Sequence, residues 1–175
     1  DPNAAILYLA RALAAGEDIE FLARRIMICA AEDVGLANPN AILVAVAAYE
    51  CARSVGMPEA RIPLAEAAIT VATSPKSNAA YLAIDSALND VNTGDTGVVP
   101  MHLRNAPAKG MEELGYSVGY KYPHDFPGHV TKQQYMTDKT IDKKYYEPTD
   151  IGYERKINEY LEYVRKMTGQ EGNNA

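Results

Sequence analysis

The chain has 175 residues with 17 basic and 23 acidic side chains, which gives a formal net charge of −6 at pH 7. This length fits one domain, and 47% hydrophobic residues supply material for its core. A net acidic domain is a poor default binder of nucleic acid, although a local basic patch is compatible with it. Cys29 and Cys51 form no Cys-x-x-Cys motif, and no segment reads as a membrane helix or a signal peptide. We therefore expect a cytoplasmic protein without membrane contact.

Residues 1–92 contain most of the alanines, the strongest helix formers, and predict a compact helical array. Asn38-Pro39 and Ser74-Pro75 each place a capping side chain before a proline and predict helix starts. Helix ends are predicted at Gly16, Gly35 and Gly56. The predicted helices cover residues 3–15, 18–34, 39–55, 63–73 and 75–91. Because the connections between them are short, we expect antiparallel neighbours in an all-α fold.

Two features of this helical part concern packing. The third predicted helix carries Ala41, Ala45, Ala48 and Ala52 at three- and four-residue spacing. Such a flat face lets another helix approach closely and predicts tight packing within the chain, with a subunit interface as the alternative. In the second predicted helix, Arg25 shares a face with Glu32. The two predict a structural ion pair, with a ligand site as the alternative.

The sequence changes character after residue 92, where prolines and tyrosines become frequent. Residues 93–150 predict an ordered but irregular wrap over the helical core, with one short helix over 107–114. A last helix is predicted within 151–168, because Tyr153, Ile157 and Tyr160 recur on one face. We expect residues 169–175 to fray.

The titratable residues point to no catalytic site. His102, His124 and His129 occur with Asp125, but their spacing is poor for a metal site. A small metal-dependent enzyme therefore stays only as an alternative hypothesis, and we predict no catalytic, cofactor-binding or metal-binding residue in this chain. A Ser or Cys nucleophile beside a base is not indicated either.

Basic residues next to aromatic rings are typical of surfaces that bind single-stranded nucleic acid. Lys121 lies between Tyr120 and Tyr122, and Lys143-Lys144 precede two further tyrosines. The candidate DNA-contacting residues are Arg104, Lys121, Lys143, Lys144, Tyr120 and Tyr122. For Arg104 the alternative is that it fixes a loop through backbone carbonyls.

Several ordered sequence strings then point to one family. They include Tyr8-Leu9-Ala10-Arg11, Phe21-Leu22-Ala23-Arg24-Arg25, Glu32-Asp33-Val34-Gly35-Leu36-Ala37-Asn38-Pro39, Val55-Gly56-Met57-Pro58-Glu59, Ser74-Pro75-Lys76-Ser77-Asn78, His102-Leu103-Arg104-Asn105-Ala106-Pro107 and Tyr145-Tyr146-Glu147-Pro148. In this order they resemble the C-terminal region of the MgsA/RarA replication-associated recombination AAA+ ATPases, relatives of the Werner-helicase-interacting protein. Ile19 and Ala31 depart from the family pattern, which often has proline and serine there.

The resemblance implies that the chain is one C-terminal oligomerisation domain, similar to the collar of clamp loaders, and that it assembles as a tetramer. It also implies that the AAA+ module, with its ATP and magnesium sites, lies upstream and outside these 175 residues. The intact protein would be a nucleoid-associated, DNA-dependent ATPase of replication-fork maintenance and recombination. By this resemblance the fragment itself is a scaffold without enzymatic activity, and a DNA-contacting accessory domain is the alternative.

Overall fold

The computed structural model describes residues 1–108 and 110–169, and all regular structure among them is helical. The α-helices are α1 (Pro2–Ala14), α2 (Ile19–Cys29), α3 (Asn40–Val55), α4 (Arg61–Thr73), α5 (Ala79–Thr93) and α6 (Glu154–Thr168). The all-α fold class is therefore confirmed. None of these helices within the described ranges is both long and apolar enough to span a bilayer.

The described residues form two compact units. The first, the helical unit, contains Asp1–Ile84 and Tyr146–Ile157. The second, the loop unit, contains Asp85–Tyr145 and the described residues from Asn158 onward. The sequence places the change in character after residue 92, whereas the boundary between the units lies inside α5.

Local signals explain where the first helices begin and end. The side chain of Asp1 accepts hydrogen bonds from the backbone at the start of α1, and Asp18 does the same for α2 at 3.1 Å. Gly16 adopts a φ of 81°, and the amide of Glu17 donates back to Ala12 O, as in a Schellman cap. The predicted end of the first helix at Gly16 is therefore confirmed.

The second predicted helix, over 18–34, is α-helical only to Cys29. It continues as a π-helical turn over Ala30–Val34 and a 3-10 turn over Gly35–Ala37. The wider π-turn changes the angular spacing between residues 25 and 32 from the one that a continuous α-helix would give. Both side chains are exposed, and their predicted ion pair is not among those of the described residues. The neighbouring Arg24 instead lies within ion-pair distance of Asp18.

Close helix packing holds the helical unit together. Helix α4 packs against α1 and α3, and α3 also packs against α2. The alanine face of α3 is buried in these contacts, which confirms that it serves packing within the chain. Leu64 on α4 is the largest fully buried apolar side chain, and most of its buried neighbours are alanines. Small side chains thus set the short distances between these helices.

Residues 146–157 belong to the helical unit and contain a buried carboxylate, that of Glu154. Glu154, at the start of α6, is fully buried and accepts hydrogen bonds from Tyr146 Oη at 3.0 Å and from Thr149 N and Oγ1 at 2.9 and 2.6 Å. The Ser77 side chain is a further partner. Burial by itself raises the pKa of Glu154, but these hydrogen bonds outweigh burial and hold the pKa below its ordinary value. Burial and the bond to Glu154 raise the pKa of Tyr146 to about 12.

Gly152 brings the same segment against the backbone of the core. It adopts a φ of 58°, and an added Cβ would collide with Ala37 O and lie 2.9 Å from Pro75 Cγ. Next to it, the amide of Tyr153 donates to Ala37 O at 2.8 Å. Only glycine allows this close approach without strain.

Helix α5 begins later than the predicted residue 75. The Ser77 hydroxyl accepts from Ala79 N at 3.3 Å, and Ser77 N donates to Asp33 O at 2.9 Å. Ser77 therefore supplies the helix start that the sequence assigned to Ser74-Pro75.

The loop unit is irregular, as the sequence predicts, but its predicted helix over 107–114 is wrong. Residues 110–119 form successive turns, in which Leu114 N donates to Met111 O and Gly115 N to Glu112 O. Gly110, Gly115 and Gly119 all have positive φ and interrupt helical geometry. Lys109 and the end of the predicted frayed tail, 170–175, lie outside the described residues.

Candidate interaction surfaces

The face of α3 opposite its buried alanines is open. This outer stripe consists of Leu43, Val46, Ala47, Glu50, Cys51 and Ser54, all of which are exposed. Leu43 is 64% exposed, and Glu50 is the only charged member. A helix that is apolar around its whole circumference is normally covered on all sides. In α3, one side is filled by α2 and α4, and the other lacks a partner within this chain's described helical unit.

Charged residues border the outer stripe on one side. Arg53 lies 3.9 Å from Glu50 and 3.7 Å from Glu20 of α2, and its guanidinium stands 5.5 Å from the centre of the Tyr49 ring. Apolar side chains with a polar border are the usual composition of a protein interface. The stripe therefore has the chemistry of a contact surface for another protein chain.

Arg25 lies away from this stripe, in an apolar groove of the helical unit. The groove runs between α1, α2 and α4 with a volume of about 490 Å³, and Tyr8, Leu22 and Ile26 line it beside Arg25. Arg25, for which the sequence predicts an ion pair with Glu32, therefore borders an apolar groove.

A second surface, in the loop unit, combines lysines with a tyrosine. We call it the lysine–tyrosine cleft; its volume is about 560 Å³. The described residues that line it are Lys121, Lys132, Gln133, Gln134, Tyr135, Met136 and Ile141. None of them is acidic, so the local charge of the cleft is positive although the chain as a whole is acidic.

Side-chain hydrogen bonds join the two segments that form this cleft. Gln133 Oε1 accepts from Lys121 N at 3.1 Å, and Gln133 Nε2 donates to Lys121 O at 3.0 Å. The same Nε2 donates to the Tyr135 hydroxyl at 2.9 Å. Lys121 Nζ donates to Lys132 O at 3.1 Å. Gln133 therefore holds one lysine and the ring of the cleft in fixed positions.

The structure separates the six residues that the sequence selected for DNA contact. Lys121 lines the cleft, whereas Tyr120 and Tyr122 are exposed and do not line it. Lys144 is exposed and is in none of the ion pairs recorded for the described chain.

The other two selected residues already have partners in the loop unit. Lys143 forms an ion pair with Asp90 at 3.0 Å, which raises the pKa of Lys143 and lowers that of Asp90. Arg104 Nε donates to Val99 O at 2.7 Å, and its guanidinium stands 5.7 Å from the centre of the Tyr116 ring. Arg104 thus makes the backbone contact that was its alternative role.

The histidines have structural contacts. His102 Nε2 donates to Gln134 O at 2.8 Å, behind the cleft. The rings of His124 and His129 are 4.7 Å apart between centroids, and that of Tyr122 is 5.0 Å from His124. Over residues 1–108 and 110–169, no group of three or more His, Cys, Asp or Glu side chains is arranged to hold a metal ion.

Sequence reasoning missed Lys132, Gln133 and Tyr135. Their signal is the basic–aromatic spacing in Lys132-Gln133-Gln134-Tyr135, which resembles the Lys121 segment that was selected. Sequence reasoning also missed the outer stripe. Its signal is the apolar run from Ala41 to Tyr49, because a helix over this run has no polar face to turn towards solvent.

Comparison with known proteins places the whole chain in one family. The family model described as MgsA AAA+ ATPase C terminal matches residues 1–165. An uncharacterized AAA domain-containing protein of Mycobacterium tuberculosis is 50% identical over 95% of the chain and 37% of its own length. The replication-associated recombination protein A of Bacillus subtilis is 50% identical over 87% of the chain and 36% of its length.

More distant relatives agree with this assignment. The replication-associated recombination protein A of Escherichia coli is 42% identical over 95% of the chain and 37% of its length. The chain spans little more than a third of each of these three bacterial relatives. It belongs to the MgsA AAA+ ATPase C-terminal family.

Proposed function

We propose that this chain is the oligomerisation and scaffold domain of a DNA-dependent AAA+ ATPase that acts in replication-fork maintenance and recombination. The names of the relatives, an AAA domain-containing protein and replication-associated recombination proteins A, support the wider role. In this proposal nucleotide hydrolysis belongs to an upstream module, and the present region holds subunits together without catalysing a reaction.

The observation that carries the assembly role is the outer stripe of α3. The apolar side chains of the stripe are exposed, whereas the opposite face of α3 is buried against α2 and α4. Covering the stripe would therefore bury the apolar surface that α3 still exposes, which is favourable. A second copy offers the same stripe, and a two-fold axis brings two identical surfaces together. This two-fold contact gives a dimer, and in the proposed tetramer two such dimers are joined through a second contact.

Light scattering on a size-exclusion column tests the proposal directly. A tetramer has a mass of about 76 kDa, four times the 19.0 kDa of the chain. Because the stripe is mainly apolar, the measured mass should change little between low and moderate salt. A mass of 19.0 kDa at a protein concentration of tens of micromolar contradicts an assembly role for this region.

A further inference from the structure

We propose that the lysine–tyrosine cleft binds single-stranded nucleic acid, with Lys121 and Lys132 on phosphates and Tyr135 stacked on a base. This site goes beyond the assembly role, and its residues lie in the loop unit rather than on the outer stripe of α3. The chemistry of the lining residues carries the assignment.

The charges of the cleft suit a phosphate backbone. Lys121 uses one N–H on Lys132 O, which leaves two of its three ammonium hydrogens for a ligand. Lys132 is exposed and is in none of the ion pairs of the described residues. No acidic side chain is among the described residues that line the cleft, and Asp138, which does not line it, accepts from Gln134 Nε2 at 2.8 Å. Two lysines therefore face solvent without an acidic lining residue to neutralise them.

The aromatic ring of the cleft suits a base. Tyr135 is 55% exposed and lines the cleft, so its side chain is accessible to a ligand there. Its hydroxyl is held by Gln133, which also fixes the backbone of Lys121. Ring and lysine thus have a defined separation before any ligand binds, which lowers the entropic cost of binding. A cleft of about 560 Å³ lies in the size range of sites for small ligands, so it suits a short stretch of nucleotides rather than a duplex.

Fluorescence anisotropy of a labelled oligothymidylate tests the proposal on the 175-residue chain. Each phosphate contact on a single strand contributes about 0.7 to the slope of log affinity against log salt, so two lysines contribute about 1.4. On this basis the loss of affinity in the Lys121→Ala, Lys132→Ala double variant should be about 25-fold larger at about 0.05 M salt than at about 0.5 M. The matched control, Arg165→Ala with Lys166→Ala, removes the same charge at two exposed residues outside the cleft and should bind within about twofold of the wild type.

Stacking is tested separately at Tyr135. The Tyr135→Leu variant should lose about tenfold in affinity, because stacking of one base on an aromatic ring is worth roughly a tenfold change or more. Tyr135→Phe keeps the ring and should retain most of the binding. The matched control is Tyr160→Leu, at a tyrosine that is 57% exposed but outside the cleft.

The outcomes decide the proposal. Selective losses in the cleft variants, with unchanged circular dichroism and unchanged mass by light scattering, support it. Absence of binding by the wild type at low salt overturns it, as does an equal loss in the Arg165→Ala, Lys166→Ala control. Equal affinities of Tyr135→Leu and Tyr160→Leu overturn the stacking assignment. Stronger binding of a duplex of the same length contradicts the single-stranded ligand. A monomeric mass with intact binding overturns the assembly proposal alone.

Discussion

Replacing Leu43 by glutamate tests which surface joins the subunits. Leu43 is the most exposed large apolar residue of the outer stripe, at 64%, and makes no contribution to the buried alanine face. A glutamate at this position extends into solvent in the monomer, so the helical unit should keep its fold. In an assembled interface, the same carboxylate is buried against an apolar surface, which is unfavourable.

The expected magnitude follows from the exposed fraction of this side chain. Full burial of a leucine is worth about 1.5–3 kcal/mol, so the 64% still open contributes about 1–2 kcal/mol per copy. A two-fold interface contains Leu43 twice, which doubles the loss to about 2–4 kcal/mol. Since about 1.4 kcal/mol corresponds to a tenfold change, the dissociation constant should rise by about 30- to 700-fold.

Sedimentation or light scattering over a dilution series measures this shift. The matched control is Leu114→Glu, at a leucine of the loop unit that is 71% exposed and therefore also tolerates a charge in the monomer. We expect Leu43→Glu to dissociate at concentrations where the wild type and Leu114→Glu remain assembled. If Leu43→Glu assembles as tightly as the wild type while its circular dichroism is unchanged, α3 does not supply the interface.

Three further predictions concern stability and reactivity. Gly152→Ala should lower the free energy of unfolding in urea by about 2–3 kcal/mol, because it combines an unfavourable φ with a collision at Ala37 O. Gly119→Ala, with positive φ and open space, should cost only about 1–2 kcal/mol, and equal losses contradict the packing argument. The folded-state pKa of Glu154 is lowered, so its contribution is present above the unfolded pKa of about 4.3 and is lost as the pH falls through the folded value. Denaturation series should show that Glu154→Gln lacks this part of the acid dependence and is less stable at neutral pH by about 1–3 kcal/mol; an unchanged profile contradicts the assigned hydrogen bonds. Burial and a hydrogen bond to a carboxylate raise the pKa of Cys29 to about 11, so only about one thiol in a thousand is ionised at about pH 8. In a Cys51→Ser variant, Cys29 should react with a disulfide reagent at least tenfold more slowly in the native protein than in the denatured protein, and equal rates contradict the burial and hydrogen bond assigned to Cys29.

The helical unit was largely predictable because its signals are local. Capping side chains such as Asp18 and the glycine at Gly16 act within one helical turn, and alanine spacing identifies the buried face of α3. The start of α5 was not predictable in the same way. Ser77 is positioned by the hydrogen bond from its backbone N–H to Asp33 O, and Asp33 lies 44 positions earlier in the chain. Because the sequence does not report this long-range bond, it favours a helix start at Ser74-Pro75 as much as one at Ser77.

The loop unit shows where local reasoning fails. A helix over 107–114 fits the composition, yet the positive φ angles of Gly110 and Gly115 give turns instead. Lys121 was found from its tyrosine neighbours, but those rings do not line the cleft. Tyr135 does line the cleft, and the side chain of Gln133 connects it to Lys121 by hydrogen bonds. Gln133 lies twelve residues after Lys121, and no periodic sequence pattern predicts a hydrogen bond over that separation.

The two proposals together predict how binding depends on the length of the nucleic acid. One cleft with two lysines and one ring binds weakly, and the net charge of −6 opposes it further. An oligomer presents several such clefts, and a strand long enough to reach two of them gains affinity through effective concentration. For the wild type, a strand of about 60 nucleotides should therefore bind at least tenfold more tightly than one of about 10, beyond the gain from the larger number of binding registers. At a concentration at which Leu43→Glu is monomeric, the longer strand should bind more tightly only because it offers more binding registers. The same steep length dependence in both proteins would show that the affinity comes from single chains, and that the assembly through α3 does not serve nucleic-acid binding.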